Sequence, residues 1–230
     1  MSAKQCRAIA LPLPIALVLL TIMLGAGNGK ASALDNGLAL TPPMGWSSWN
    51  HFGKGGFSET TIYEIIDAIV SSGMRDAGYT YVVVSGGWRD NHLAPDGKLL
   101  PHPTRFPNGI KPLADYAHAN GLKIGIHTCP GETDCGWDPV GGIGREALHV
   151  SQFVEWEVDY VMLDNCYMDW KIMEEKFKLW RDLFAASGRD ILYKPTFPIW
   201  APVTTTGTLL SIVETHTDEF KTGFAVMAAP

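Results

Sequence analysis

The sequence predicts an α/β fold in which short parallel strands alternate with amphipathic helices, as in a (β/α) barrel. Apolar runs rich in β-branched residues recur along the chain, and each is followed by a polar or glycine-rich loop and then by apolar residues at helical spacing. Alternating strands and helices imply a parallel sheet, and the regular spacing with polar strand ends favours a barrel over an open doubly wound sheet.

The helix predicted at Ser58–Gly73 shows the pattern, because it combines apolar side chains at helical spacing with a capping serine and a glycine stop. A short strand ending at Trp46 precedes it. Later strands are predicted at Tyr79–Val84, Leu122–His127, Tyr160–Leu163, Asp190–Tyr193 and Leu209–Thr215, six with the first. The other helices are predicted at Ile110–Asn120, Gly144–Trp156 and Trp170–Ala186.

Residues 1–33 are predicted to be a secretory signal peptide that is cleaved after Ala33. Lys4 and Arg7 precede an apolar run, and Ala31–Ala33 is a small-residue cleavage site. An uncleaved membrane anchor is the alternative, but two prolines interrupt the apolar run. We therefore expect a secreted or periplasmic protein that has no membrane attachment after cleavage, with its catalytic domain in residues 34–230.

The composition excludes several function classes. The 230 residues are 46% hydrophobic, as in a folded globular protein. The net charge is −6, and it becomes −9 once the signal peptide, with three cations and no acids, is removed. An acidic secreted protein is a poor nucleic-acid binder. No glycine-rich phosphate loop follows a predicted strand, so no nucleotide cofactor is expected, and the sequence leaves the oligomeric state open.

Asp164 ends the apolar run Tyr160–Leu163 abruptly. In a barrel, side chains at the carboxyl ends of the strands face the ligand site, which is where a catalytic carboxylate lies. The alternative is a solvated turn residue, since Asp-Asn after a strand is ordinary turn chemistry. Trp46, also at a strand end, is either a platform for the C–H face of a sugar or a packing residue.

Three cysteines, Cys129, Cys135 and Cys166, follow the signal peptide. In an oxidising compartment two of them can pair and one is left over. A zinc site is the competing interpretation, but the spacing contains no CxxC element and no histidine at ligand spacing. No metal site is predicted.

Several segments together resemble glycoside hydrolase family 27, the α-galactosidase or melibiase family, from Leu38 to about Asp218. The strongest are Leu40-Thr-Pro-Pro-Met-Gly-Trp-Ser-Ser-Trp-Asn-His-Phe-Gly53, Phe106-Pro-Asn-Gly-Ile-Lys-Pro-Leu-Ala-Asp-Tyr116, Gly121–Ile126, and Val158–Tyr160 leading to Asp164-Asn-Cys166. The resemblance implies a (β/α)8 TIM barrel that hydrolyses terminal α-linked glycosides, galactosides in the family, through a glycosyl-enzyme intermediate and without a metal.

The resemblance also implies residue roles. Asp164 matches the nucleophile, and Asp218 matches the acid/base in the pattern Glu214-Thr-His-Thr-Asp218, where the family has arginine in place of Glu214; Glu219 is the alternative. Retaining hydrolysis needs these two carboxyl groups roughly 5 to 5.5 Å apart. The family's disulfide falls on Cys135 and Cys166.

This chain departs from the family where sugar hydroxyls are bound. The usual Asp-Asp after the second strand is Ser85-Gly86, and the usual Lys, Tyr, Asp and Glu are Met162, His127, Cys129 and Thr196. Losing several charged hydrogen bonds would weaken galactose binding by orders of magnitude. The residues predicted to bind a sugar instead are Trp46, Trp88, Arg89, Asp90 and His127.

The length is the second departure, because residues 219–230 are too few for two more strand–helix units. We therefore expect an incomplete barrel of about six strands that lacks the last barrel strands and the family's C-terminal β-sandwich. The alternatives to an active glycosidase are a catalytically inactive carbohydrate-binding barrel and a non-functional fragment.

Overall fold

The structure is a computed structural model that describes residues 36–196 and 225–227. The helices of this part are α1 (Trp49–Phe52), α2 (Glu59–Ser71), α3 (Lys111–Ala119), α4 (Glu146–Glu155) and α5 (Trp170–Ala186). The strands are β1 (Met44–Ser47), β2 (Tyr79–Val84), β3 (Arg89–Leu93), β4 (Leu99–Pro101), β5 (Lys123–Thr128), β6 (Tyr160–Leu163), β7 (Leu192–Pro195) and β8 (Ala225–Met227).

Six of these strands form one sheet in the order β7-β6-β5-β2-β1-β8, and every neighbouring pair is parallel. From β1 to β7 each strand of this sheet lies beside its predecessor in the chain, whereas a doubly wound sheet reverses its order part-way. The prediction of an α/β fold of the TIM-barrel type is therefore confirmed. Strands β3 and β4 form a separate antiparallel hairpin.

The two faces of the sheet differ because side chains alternate along each strand. On the outer face, Val82, Val84, Ile124 and Ile126 pack with helix residues such as Ile62, Ile66 and Phe177 in the main core. The inner face, which corresponds to the barrel interior, carries a smaller cluster of Tyr81, Val83, Tyr160 and Leu192. Gly45 is needed there, because a Cβ atom at this position would lie 2.7 Å from the Cβ atom of Tyr81.

Helix α2 follows its sequence signals closely. Ser58 and Thr61 form a reciprocal capping box at its start, and Gly73, with a φ of 79°, follows its end. Ile62, Ile66 and Ile69 are its buried apolar side chains. A glycine adopts this left-handed φ with little strain, so the chain can turn towards β2.

Some predicted elements differ from the structure or lie outside it. The strand predicted at Asp190–Tyr193 is shifted to Leu192–Pro195, and hairpin β3–β4 replaces part of a predicted loop. Strand β8 was missed because a three-residue apolar stretch carries too little periodicity to identify. The predicted signal peptide and the strand at Leu209–Thr215 lie outside the described residues. Within the part that is described, no helix has the length and apolar character to cross a membrane.

Candidate active site

The candidate site lies where strands β5, β6 and β7 end. Tyr160 and Leu192 point to the inner face, and side-chain alternation places Asp164 and Thr196, four residues after each, on that same face. His127 on β5 lies opposite Met162 on β6 in the strand register. Three polar side chains from three strand ends, those of His127, Asp164 and Thr196, therefore meet at one edge of the sheet.

The carboxylate of Asp164 is held by three hydrogen bonds. Oδ1 accepts from the Thr196 hydroxyl at 2.7 Å and from the Asn165 backbone N–H at 2.8 Å. Oδ2 lies 3.3 Å from Nε2 of His127. The Asp164 side chain is still 26% exposed, so the carboxylate is fixed in orientation and remains open to a substrate.

These neighbours keep Asp164 ionised. Burial alone would raise the pKa of the carboxyl group, but the hydrogen bond and charge of His127, with the hydrogen bonds from Thr196 and Asn165, lower the pKa below its usual value. A carboxylate nucleophile must be deprotonated to attack a substrate. The electrostatics of the site therefore suit that role.

His127 is correspondingly held in its charged form. Its burial alone would lower the pKa, but its interactions with Cys129 and with the carboxylate of Asp164 raise the pKa to about 9, against a smaller opposing effect of Arg89. The ring is only 5% exposed. At neutral pH the site therefore contains a partly buried imidazolium–carboxylate pair.

The His127 pair predicts that stability falls in mild alkali. Folded His127 keeps its proton up to about pH 9, whereas an unfolded histidine loses it near pH 6.5. Between these values the folded state binds more protons, so its stability decreases as the pH rises. We expect the free energy of unfolding, measured by urea denaturation, to fall by on the order of 3 kcal/mol between pH 6.5 and 9.5, and to fall much less in His127→Gln.

His149 provides a matched control for this measurement. Burial lowers the pKa of His149 to about 4, so its stabilising effect is complete above about pH 6.5 and is lost as the pH falls towards 4. His149→Gln should therefore leave the alkaline part of the stability curve unchanged. Equal alkaline slopes in the wild type and His127→Gln would contradict a raised pKa at His127.

A disulfide bond lies beside the carboxylate. Cys135 and Cys166 are bonded, with their Cα atoms 5.0 Å apart, as the family resemblance implies. Cys129 is a buried free thiol, and its Sγ atom lies 3.6 Å from that of Cys135. The bond ties the loop after β5 to the segment that follows Asp164.

Among the described residues, the groups that most resemble a metal site contain these sulfur atoms. His127, Cys129 and Cys135 have ligand atoms within 4.8 Å of one another, as do Cys135, Asp164 and Cys166. No histidine stands at ligand spacing from the cysteines in the sequence, but the fold brings His127 to them. Because the disulfide consumes two of the thiolates, neither group offers a full set of thiolate ligands while the bond is intact.

Both tryptophans that were predicted to bind sugar lie in the core, which corrects that prediction. Trp46 and Trp88 are 3% and 0% exposed and pack in the main hydrophobic cluster with the helices. The indole N–H of Trp88 donates to the backbone carbonyl of His127 at 2.9 Å. Neither ring has an open face for a sugar to stack on.

Arg89 and Asp90 lie in a separate polar cleft. Arg89 is buried, forms an ion pair with Asp134 at 3.1 Å and donates to the Thr128 hydroxyl at 3.0 Å. Asp90 hydrogen bonds to His92. The cleft, of about 400 Å³, is lined by these two residues and by others that include Lys54, His102 and Arg105. Asp164 does not line this cleft, but Arg89 lies close enough to His127 to influence its pKa.

The inner face contains a second cavity that was not predicted from the sequence. It measures about 240 Å³ and is lined by Ser47, Trp49, Asn50, Val83, Tyr160, Met162 and Lys194. Lys194 lies opposite Met162 in the strand register. The sequence could have indicated Lys194, because residues two apart on a strand point to the same face and Lys194 therefore points inward with Thr196.

The predicted acid/base residue, Asp218, and its alternative, Glu219, lie outside the described residues.

Comparisons with known proteins agree with this architecture. A profile of the family described as Melibiase_2, Alpha galactosidase A, matches residues 41–220. A probable alpha-galactosidase from Dictyostelium discoideum is 44% identical over 162 residues, which are 70% of this chain and 41% of that protein. An alpha-N-acetylgalactosaminidase from Gallus gallus is 36% identical over 176 residues, covering 73% and 44% of the two chains.

A solved structure gives the same result. The structure of an alfa-galactosidase from Saccharomyces cerevisiae with raffinose has a TM-score of 0.67 at 33% identity, covering 71% of this chain and 37% of that one. The matched part of the chain thus spans less than half the length of each of these three relatives. Because the family profile covers more than half of the chain, the protein belongs to glycoside hydrolase family 27, the α-galactosidase (melibiase) family.

Proposed function

We propose that this chain forms part of a secreted glycosidase that removes a terminal α-linked galactose-type sugar with retention of configuration, using Asp164 as the nucleophile. The observation that carries the proposal is the carboxylate of Asp164. It lies at the end of β6, is held by three hydrogen bonds, and has a lowered pKa. The Cys135–Cys166 disulfide supports an oxidising compartment, either secreted or periplasmic.

The proposed reaction has two steps. An oxygen of Asp164 attacks the anomeric carbon while the bond to the leaving oxygen breaks, and the acid/base protonates that oxygen. The same residue then takes a proton from a water molecule as the water oxygen attacks the anomeric carbon, which breaks the bond to Asp164 and releases the sugar. We assign the acid/base role to Asp218, with Glu219 as the alternative. His127 and Thr196 orient the carboxylate, and no metal is required.

The sugar itself is proposed from the relatives and from the inner cavity. Relatives are named for α-galactosides and α-N-acetylgalactosaminides, and both sugars carry an axial O4 hydroxyl. The family's usual lysine is replaced by Met162, but Lys194 lies opposite Met162 on the next strand and lines the same cavity. The ammonium group of Lys194 can therefore donate hydrogen bonds to sugar hydroxyls from a position beside Met162, where the family has its lysine.

Covalent labelling tests this proposal. A cyclitol epoxide of galactose configuration should be opened by Asp164, forming an ester whose position is mapped by peptide mass spectrometry. A second epoxide with a 2-acetamido group distinguishes galactose from N-acetylgalactosamine. If neither probe labels Asp164 in a chain that melts cooperatively, the nucleophile assignment is wrong.

A carbohydrate-binding barrel without catalysis is the second candidate. It is favoured by the replacement of the family's Asp-Asp by Ser85-Gly86, where Ser85 is buried and its backbone N–H donates to the Ser48 hydroxyl. Saturable binding of a galactoside without any label on Asp164 would support this alternative. Labelling at Asp164 with release of free sugar would exclude it.

A further inference from the structure

Two large aromatic side chains lie exposed beside the candidate site. Trp137, in the loop after β5, is 67% exposed, and Tyr167, just after the disulfide, is 49% exposed. Their ring centroids are 3.5 Å apart with an interplanar angle of 28°. Burying an aromatic ring is strongly favourable. A stacked pair that leaves one ring face of each residue open therefore stabilises the fold less than two fully buried rings would.

The backbone at both positions is also strained. Trp137 has a φ of 68° and Tyr167 a φ of 54°, in the left-handed region that bulky side chains rarely adopt. Glycine or asparagine would fit these positions with less strain. Such strain occurs preferentially at ligand sites, where the surrounding structure holds it in place.

The disulfide holds the aromatic pair next to the carboxylate. Cys135 precedes Trp137 by two residues, and Cys166 directly precedes Tyr167. A carboxylate oxygen of Asp164 and the two bonded sulfur atoms lie within 4.8 Å of one another. The aromatic pair therefore belongs to the rim of the site whose centre is Asp164.

Polar groups flank the exposed indole. The ammonium group of Lys54 donates to the backbone carbonyl of Gly136 at 3.3 Å and to the carboxylate of Asp138 at 2.9 Å. These two residues are the chain neighbours of Trp137. A flat apolar face in a segment that also carries an ammonium and a carboxylate suits a pyranose ring, which has a C–H face and hydroxyl groups around it.

We propose that Trp137 and Tyr167 form the binding site for the leaving-group sugar, the second pyranose of an α-linked oligosaccharide. This sugar stacks on the open face of the pair while Asp164 attacks the terminal sugar. The inference rests on the proposed glycosidase function and adds to it the two residues that bind the leaving sugar. Two rings are too small a patch for a stable protein interface.

The test compares two substrates with the same terminal sugar. Galactosyl-α-1,6-glucose has a leaving sugar, whereas α-galactosyl fluoride has a leaving group too small to touch the rings. Trp137→Ala in the full chain should lower kcat/KM for the disaccharide about tenfold, equivalent to about 1.4 kcal/mol, and leave kcat/KM for the fluoride unchanged. Tyr167→Ala should act in the same direction, and Trp137→Phe should retain most of the disaccharide activity.

Controls make the result specific. Leu179→Ala removes another partly exposed apolar side chain, on α5, and should change neither activity. Thermal melts should show that each variant remains folded. Equal losses on both substrates, or no loss on either, in folded Trp137→Ala would overturn the leaving-sugar site.

A binding measurement separates this inference from the proposed function. If the wild-type chain hydrolyses neither substrate, the glycosidase assignment fails, and calorimetric titration with the disaccharide and with galactose still tests the aromatic pair. Weaker disaccharide binding in Trp137→Ala, with galactose binding unchanged, supports the site. Disaccharide binding that is absent in the wild type or unchanged in the variant refutes it.

Discussion

Asp164→Asn is expected to lower kcat/KM for α-galactoside hydrolysis by roughly 10⁴-fold or more, as for the loss of other catalytic groups that act as a unit. Asparagine preserves the shape of the side chain and can accept the hydrogen bond from Thr196. It lacks the negative charge that attacks the anomeric carbon. The measurement is steady-state hydrolysis of an aryl α-galactoside and of α-galactosyl fluoride by the full chain.

Two further variants make this result specific to the nucleophile. Asp96→Asn changes an exposed acid on hairpin β3–β4, where it accepts from the backbone of Lys98, and should keep full activity. In Asp164→Gly, added azide should enter the vacated space and attack the anomeric carbon directly. This single displacement inverts the configuration, so an α-galactoside should give a β-galactosyl azide. Near wild-type hydrolysis by Asp164→Asn would mean that another group is the nucleophile.

The position of Asp164 could be predicted from the sequence, but its environment could not. An acid that directly ends an apolar strand has a defined place in a parallel α/β fold. The contacts of Asp164 with His127 and Thr196 depend on the register between β5, β6 and β7. No local pattern encodes that register, so the raised pKa of His127 emerges only from the assembled sheet.

The error at Trp46 has a physical reason that the sequence did contain. In the run Gly45-Trp46-Ser47 small and large residues alternate, and the inner face of β1 must be small because Tyr81 approaches Gly45. Trp46 therefore points to the outer face of the sheet and packs in the main core. Trp88 follows β2 and is likewise buried in that core, so tryptophans at strand ends were packing residues here.

The exposed aromatic pair shows where sequence reasoning stops. Trp137 and Tyr167 are 30 residues apart and lie in irregular segments, which have no periodicity to interpret. Their stacking depends on the disulfide that joins the two segments and on left-handed backbone angles at both residues. The disulfide followed from family resemblance, but loop conformation did not.

Loss of the Cys135–Cys166 disulfide is expected to destabilise the fold by about 3 to 4 kcal/mol, because the bond closes a loop with a sequence separation of 31. For a chain of this size, that corresponds to a decrease in melting temperature of roughly 10 °C. The measurement is thermal and urea unfolding of Cys166→Ala. The variant should also lose activity, since the segment after Asp164 is no longer tied to the loop that carries Trp137.

Cys129 determines how this experiment must be done. Its Sγ atom lies 3.6 Å from that of Cys135, so in Cys166→Ala these two thiols can oxidise to a new disulfide that closes only a short loop. The comparison should therefore be made in a Cys129→Ala background, where Cys135 has no alternative partner among the three cysteines that follow residue 33. Cys129→Ala alone keeps the native bond and should retain both activity and most of the stability. If Cys129→Ala and Cys129→Ala/Cys166→Ala unfold at the same denaturant concentration, the disulfide does not stabilise the rim of the site.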